Sequence, residues 1–92
     1  MKILSKIPEE LRNQINKLRE QSLAQNLKVY LVGGFVRDLI LGVKNLDLDI
    51  LVEGDGIKFA DDFIEPQEGD ITVHKHFGTA TVLLQFGLKI DF

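Results

Sequence analysis

The sequence predicts a small α+β domain whose elements follow the order α-β-α-β-α-β-β-β. Apolar residues recur every three or four positions near the N-terminus, which is the period of a helix. In several later segments they recur at every second position, which is the period of a strand. Glycine-containing turns separate these segments. Because the chain has 92 residues, it can form one domain with a single modest core.

The first element is an amphipathic helix predicted from Pro8 to about Gln25. Its stripe recurs at three- and four-residue steps and comprises Leu4, Ile7, Leu11, Ile15, Leu18 and Ser22. Pro8 suits the first helical position, and Glu9 and Glu10 suit the first turn because the helix dipole favours negative charge there. The basic side chains off the stripe are Lys6, Arg12, Lys17 and Arg19. We interpret them as a solvated face, with an RNA-contacting face as the alternative.

The second and third elements are a buried strand at residues 27–32 and a two-turn helix at residues 35–41. Gly33 and Gly34 lie between them, and their lack of a side chain allows a sharp turn and a close approach to a ligand. Gly42 stands where a left-handed helix stop is expected. The amides that open a helix attract phosphate, so the two glycines predict a phosphate-binding turn as well as a structural one.

The next strand, residues 46–52, alternates apolar and acidic side chains. Asp47 and Asp49 are two residues apart, so they are expected on the same face with Cα atoms about 6.6 Å apart. That spacing suits two carboxylates that share divalent metal ions. Two solvated strand carboxylates are the alternative interpretation.

A third helix is predicted at residues 57–64, with Asp55 as its N-cap. Turn residues within 66–70, among them the Gly69–Asp70 pair, are expected to end it. The remaining chain predicts three strands, at residues 71–75, 79–86 and 88–92. Turns around Phe77–Gly78 and at Gly87 connect them.

His74 and His76 are predicted to share one strand face, and two such histidines can bind a transition metal. No third ligand is evident nearby in the sequence. An ordinary strand surface is therefore the preferred interpretation.

Composition excludes several classes of protein. The 11 basic and 14 acidic residues give a net charge of −3, which is not basic enough for a stand-alone nucleic-acid binder. No apolar run approaches the roughly 20 residues of a membrane helix, so no membrane partner is expected. The absence of cysteine excludes a disulfide scaffold and favours a cytoplasmic location.

The sequence contains four blocks, followed by a short match at Ile90–Phe92: Leu31–Gly42, Asp47–Asp49, Val52–Gly56 and Phe77–Val82. In this order, the blocks resemble the N-terminal head domain of class II tRNA nucleotidyltransferases and bacterial poly(A) polymerases. This family contains the CCA-, CC-, A- and poly(A)-adding enzymes and belongs to the polymerase-β-like nucleotidyltransferases. The resemblance implies a mixed sheet backed by helices. Between Gly56 and Ile71 the chain is shorter than is usual in the family.

The resemblance also implies a set of metal ligands. Asp47 and Asp49 match the residues that hold two catalytic Mg²⁺ ions in the family. Asp91 matches a third acidic position on a neighbouring strand. From its position in the sequence alone, Asp91 is an ordinary strand residue.

The nucleotide site is implied in the same way. Gly33, Gly34 and Arg37 are expected near the triphosphate of CTP or ATP. Arg37 has an alternative role in an ion pair with Asp38 or Asp47. Asp38 itself is interpreted as a structural hydrogen-bonding residue within the helix.

The function implied is transfer of CMP or AMP from CTP or ATP to an RNA 3′-hydroxyl by a two-metal mechanism. Residues 1–92 are expected to be the head domain of a longer protein, whose neck, body and tail would supply most of the contacts to tRNA or another RNA. The alternative is a non-catalytic nucleotide-binding or assembly module. For that alternative, the last strand is expected to leave an exposed sheet edge through which the chain self-associates.

Overall fold

The computed structural model describes residues 9–32, 47–85 and 87–92. The helices and strands of these residues are α1 (Glu9–Ala24), β1 (Val29–Val32), β2 (Asp47–Val52), α2 (Gly56–Ile64), β3 (Gly69–His74), β4 (Thr79–Leu84) and β5 (Lys89–Asp91). Their order is the predicted one. The helix predicted at residues 35–41 lies outside the described residues, as do the first two positions of the N-terminal apolar stripe.

The five strands form one mixed sheet in the order β1-β2-β5-β4-β3. β2 and β5 are parallel, whereas every other neighbouring pair is antiparallel. The last strand in the chain therefore lies in the middle of the sheet. The expectation that it leaves an exposed edge is wrong, because β5 is paired on both sides and the edge strands are β1 and β3.

Helix α2 covers one face of this sheet. The rings of Phe59 and Phe63 pack against the ring of Phe92, with centroids 5.9 and 5.8 Å apart. Side chains that reach this core from the strands and are fully buried include Leu48, Val82 and Ile90. The amphipathic sequence of α2 thus supplies the apolar layer that keeps water from this face.

Helix α1 packs on the same side of the sheet as α2. Its buried apolar residues are Leu11 and Leu18, which the predicted stripe includes. The side-chain amide of Gln21 donates a 2.8 Å hydrogen bond to the carbonyl of Phe59, which joins the two helices. In the described part of the chain, neither helix has the length and apolarity needed to cross a bilayer.

The start of α2 is fixed as the sequence predicts. The Asp55 carboxylate accepts a 3.1 Å hydrogen bond from the backbone N–H of Lys58, so Asp55 is the N-cap. The helix ends at Ile64, as predicted, and a turn follows it. The role predicted for the Gly69–Asp70 pair is wrong, because these residues open β3 instead of ending α2. Gly69 is required there by close packing, since a Cβ atom would lie 2.6 Å from the carbonyl oxygen of Leu83.

A single turn of 3₁₀ helix, Lys75–Phe77, joins β3 to β4. Gly78 completes the turn in the left-handed conformation, with φ of 66°, which glycine adopts without steric strain. This connection lies at the predicted place. The expectation that His74 and His76 share a strand face is wrong, because β3 ends at His74 and His76 lies in the turn.

Candidate active site on the open face of the sheet

The face of the sheet opposite α2, called the open face below, carries two of the predicted acidic residues on β2. Exposed and buried residues alternate along this strand, so Asp47 and Asp49 are exposed while Leu48 and Ile50 are buried. The two aspartates therefore project from the same face, as their spacing predicts. Successive side chains on a strand point to opposite faces, so burying Leu48 and Ile50 turns Asp47 and Asp49 outward.

Asp91 reaches the same face from the neighbouring strand. In the parallel pairing of β2 with β5, Asp91 lies directly opposite Asp49, and Lys89 lies opposite Asp47. Neighbouring strands are about 4.8 Å apart, so the Asp49 and Asp91 side chains are immediate neighbours. The prediction that Asp91 lies on a strand beside Asp49 is confirmed in its geometry.

Two side chains contact the Asp91 carboxylate. The Thr81 hydroxyl on β4 donates a 2.7 Å hydrogen bond to Asp91 Oδ1. The Lys89 ammonium lies 3.9 Å from Asp91 Oδ2. Sequence analysis missed both contacts. The spacing of Lys89 and Asp91 could have indicated the second contact, because residues two apart on a strand share a face.

The donor set suits a hard divalent cation. Asp49 makes no hydrogen bond or ion pair with the residues that the structure describes, although it adjoins a second carboxylate. Within those residues, no three His, Asp or Glu side chains are grouped so that they could hold a metal ion by themselves. Mg²⁺ does not require such a cage, since it is usually bound by one or two carboxylates together with water and substrate phosphates. The adjoining carboxylates of Asp49 and Asp91 fit that requirement.

The predicted phosphate-binding residues Gly33, Gly34 and Arg37 lie outside the described residues, and so does Asp38. The last described residue before them is Val32, which ends β1 beside the acidic residues of β2. Val32, which immediately precedes Gly33, is paired directly opposite Asp49. The glycine pair is thus attached by one peptide bond to a residue beside the carboxylates.

Tyr30 and Glu53 lie at the β1 side of the open face. The Tyr30 hydroxyl donates a 3.2 Å hydrogen bond to Glu53 Oε1. Desolvation of the hydroxyl, together with the charge of Glu53 and this hydrogen bond, raises the pKa of Tyr30 above its ordinary value. Tyr30 is therefore neutral at physiological pH and acts here as a hydrogen-bond donor.

The sequence that builds this sheet matches a known protein family. Residues 29–89 match the family described as the poly A polymerase head domain. The chain belongs to this family. Its described sheet contains the paired acids at the positions that the resemblance indicated, and the predicted fold class is confirmed.

The relatives of this head domain are tRNA nucleotidyltransferases. The chain is 51% identical over 65 residues to an A-adding tRNA nucleotidyltransferase of Geobacter sulfurreducens, a match that covers 71% of this chain and 7% of that protein. A Thermotoga maritima CCA-adding enzyme complexed with tRNA is 40% identical with a TM-score of 0.87, over 97% of this chain and 22% of that one.

A CCA-adding enzyme in complex with CTP gives a TM-score of 0.88 at 40% identity. This match covers 97% of the present chain and 21% of the enzyme. The present chain therefore spans less than a quarter of the length of each of these relatives.

Proposed function

We propose that this chain is the catalytic head of a longer RNA 3′-end nucleotidyltransferase that transfers AMP or CMP from ATP or CTP. The observation that carries the proposal is the pairing of Asp49 with Asp91 on the open face of a poly A polymerase head domain. Asp47 adds a third carboxylate on the same face. The relatives' names support tRNA as the RNA that is extended.

In the proposed reaction, the RNA 3′-hydroxyl attacks the α-phosphate of the nucleotide. A new bond forms between the RNA 3′-oxygen and the α-phosphorus, and the hydroxyl proton passes to water. The bond from the α-phosphorus to the oxygen that bridges it to the β-phosphate breaks, and pyrophosphate leaves. Asp47, Asp49 and Asp91 would hold Mg²⁺, which when bound stabilises charge on the attacking and leaving oxygens. The backbone at Gly33 and Gly34 and the guanidinium of Arg37 would orient the triphosphate.

The protein supplies position and charge in this scheme, and no side chain acts as a nucleophile. Contacts that choose the nucleotide base and hold the body of the RNA are proposed to lie in the rest of the longer protein. A net charge of −3 agrees with this division, because the head by itself offers little electrostatic attraction for RNA. A cytoplasmic location is proposed as well.

The test is magnesium-dependent incorporation of labelled AMP or CMP by the complete polypeptide that contains this chain. One substrate is tRNA that lacks only its 3′-terminal A, and the other is tRNA that lacks the whole CCA end. Incorporation of AMP into the first alone indicates an A-adding enzyme, and ordered incorporation of CMP and AMP into the second indicates a CCA-adding one.

Asp49→Asn is expected to abolish incorporation in this assay. Asp70→Asn is the matched control, because Asp70 is an exposed carboxylate on the same sheet, in β3, two strands away from Asp91. Wild-type rates in Asp49→Asn would end the proposal. Binding of ATP without incorporation into either tRNA would favour the non-catalytic nucleotide-binding module instead.

A further inference from the structure

Three side chains on adjacent strands form a continuous line of hydrogen bonds across the open face. Thr81 Oγ1 lies 2.7 Å from Asp91 Oδ1, and His74 Nε2 lies 3.2 Å from the same Thr81 oxygen. The line crosses from β3 through β4 to β5 and ends on the carboxylate that adjoins Asp49.

The direction of each hydrogen bond follows from the number of protons. A hydroxyl group carries one proton, and Thr81 uses it to donate to the Asp91 carboxylate, which can only accept when ionised. Thr81 Oγ1 must therefore accept from His74, which requires a proton on Nε2 of the imidazole. His74 thus donates to Thr81, and Thr81 donates to Asp91.

We propose that Thr81 is a positioning residue that holds Asp91 in the orientation needed to bind a divalent cation, and that His74 fixes the hydroxyl of Thr81. This inference rests on the proposed function, because it takes Asp91 as a metal ligand. Nothing in the family match or in the names of the relatives assigns a role to either residue.

A cationic group lies near the second oxygen of Asp91. The Lys89 ammonium, on the same strand and face, lies 3.9 Å from Oδ2, where it attracts the carboxylate only weakly and forms no hydrogen bond with it. A hydrogen bond from a hydroxyl to an ionised carboxylate is short and strong, with an O···O distance of about 2.5–2.7 Å. The 2.7 Å between Thr81 Oγ1 and Asp91 Oδ1 lies within this range. Thr81 therefore fixes Oδ1 in place and leaves Oδ2 available to exchange Lys89 for a metal cation.

Thr72 provides a matched comparison on the neighbouring strand. It is the direct cross-strand partner of Thr81, in β3, and is exposed, whereas Thr81 is half-buried. Its hydroxyl makes no hydrogen bond with the residues that the structure describes. The two threonines have the same shape and strand propensity, so substituting either should perturb the strand equally. Only Thr81 is hydrogen-bonded to Asp91, so only its substitution should change cation binding.

The test measures Mn²⁺ binding to the complete polypeptide that contains this chain by electron paramagnetic resonance, with Mn²⁺ replacing Mg²⁺. Thr81→Val keeps the side-chain shape and removes the hydroxyl, and it is expected to weaken Mn²⁺ binding by about 10- to 100-fold, the usual cost of losing a group that orients a metal ligand. Thr81→Ser is expected to restore most of the affinity, and Thr72→Val is expected to leave it unchanged.

A second measurement reports orientation directly. Three-bond NMR couplings across χ1 of Asp91 should indicate a single rotamer in the unsubstituted chain and averaging in Thr81→Val, without any metal. His74→Phe should produce the same averaging at χ1 of Thr81, together with a smaller loss of Mn²⁺ affinity. Thermal unfolding of each variant shows whether the fold is retained.

The outcomes separate the two claims. If Asp91→Asn binds Mn²⁺ as well as the unsubstituted chain does, Asp91 is no ligand and the proposed metal site fails together with this inference. If Asp91→Asn loses affinity while Thr81→Val retains both the affinity and the single Asp91 rotamer, only the positioning role is overturned. Failure of Thr81→Ser to restore affinity would also overturn it.

Discussion

Two adjacent rows of cross-strand partners in the sheet differ in chemistry although the same three strands build both. One row of cross-strand partners is fully buried and consists of Leu48, Ile90 and Val82. The adjacent row, which follows the first by one residue on β2 and β5 and precedes it by one residue on the antiparallel β4, is polar and consists of Asp49, Asp91 and Thr81. If one strand slipped by one residue against its neighbour, its buried side chain would move to the exposed face. Burial of the apolar row therefore fixes the register of all three strands, and that register aligns the polar row.

Under the proposed function, separate side chains of this domain carry its stability and its chemistry. Residues on the core face should affect unfolding when they are substituted, and residues on the open face should affect catalysis. The pairs of variants below test that separation.

The largest contrast is expected between two consecutive residues of β2. Leu48→Ala removes a fully buried side chain and should lower the free energy of unfolding by about 2–5 kcal/mol. Asp49→Asn should change it by no more than about 0.5 kcal/mol, as is usual for surface substitutions, and should abolish nucleotide incorporation.

Urea unfolding followed by circular dichroism measures the first quantity, and the incorporation assay with the complete polypeptide measures the second. Equal destabilisation by Asp49→Asn and Leu48→Ala would contradict the assignment of stability to the buried row. Equal rates of nucleotide incorporation by the two variants would contradict the assignment of chemistry to the polar row.

The next contrast is between two phenylalanines near the β4 strand. Phe92, the last residue, is 7% exposed and packs on α2, so Phe92→Ala should cost about 3–5 kcal/mol of stability. Phe77 is 82% exposed in the 3₁₀ turn, and Phe77→Ala should change stability by no more than about 0.5 kcal/mol. Equal unfolding midpoints for the two variants would contradict this assignment of the core.

A smaller effect is expected at the helix that covers the core face. Asp55→Ala removes the side-chain acceptor of the α2 N-cap and should lower stability by about 0.5–2 kcal/mol. Asp61→Ala is the control, because Asp61 is an exposed aspartate within the same helix and caps no end of it. A loss of similar size in both variants, measured by thermal unfolding, would reject the cap as the cause.

The smallest effect is expected on the outer side of α2, where Lys58 Nζ lies 3.0 Å from Asp62 Oδ2. The hydrogen bond from Lys58, aided by its charge and by Gln25, holds the pKa of Asp62 below the ordinary value of 3.8. The pKa of Asp62 is lower in the folded state than in the unfolded state. The pair's contribution to the free energy of unfolding is therefore fully present above pH 3.8 and is lost as the pH falls through the lowered pKa.

Asp62→Asn should therefore reduce the fall in the urea midpoint below pH 3.8 and leave the rest of the acid profile unchanged. The expected change is small, because the pair is exposed to solvent. An acid profile identical to that of the unsubstituted chain would show that the pair does not contribute.

Local sequence signals predicted most of the elements, and their failures have physical causes. The Asp55 cap, the turn at Gly78 and the alternation of β2 were correctly predicted because each depends on neighbours in the chain. Gly69 was taken for a helix end because its close approach to Leu83, 14 residues away in sequence, is invisible to local patterns. The roles of Gly33 and Arg37 remain predictions.

Asp47 and Asp49 share a face for a purely local reason, because successive side chains of a strand alternate between faces whatever its partners are. The position of Asp91, by contrast, depends on contacts between distant segments. Parallel pairing of β5 with β2 brings Asp91 beside Asp49, and antiparallel pairing of β4 with β5 brings Thr81 beside Asp91. Pairing between distant segments depends on burying one common apolar row, formed here by Leu48, Ile90 and Val82. No single segment of the sequence contains that condition, since it is met only when all three strands lie side by side.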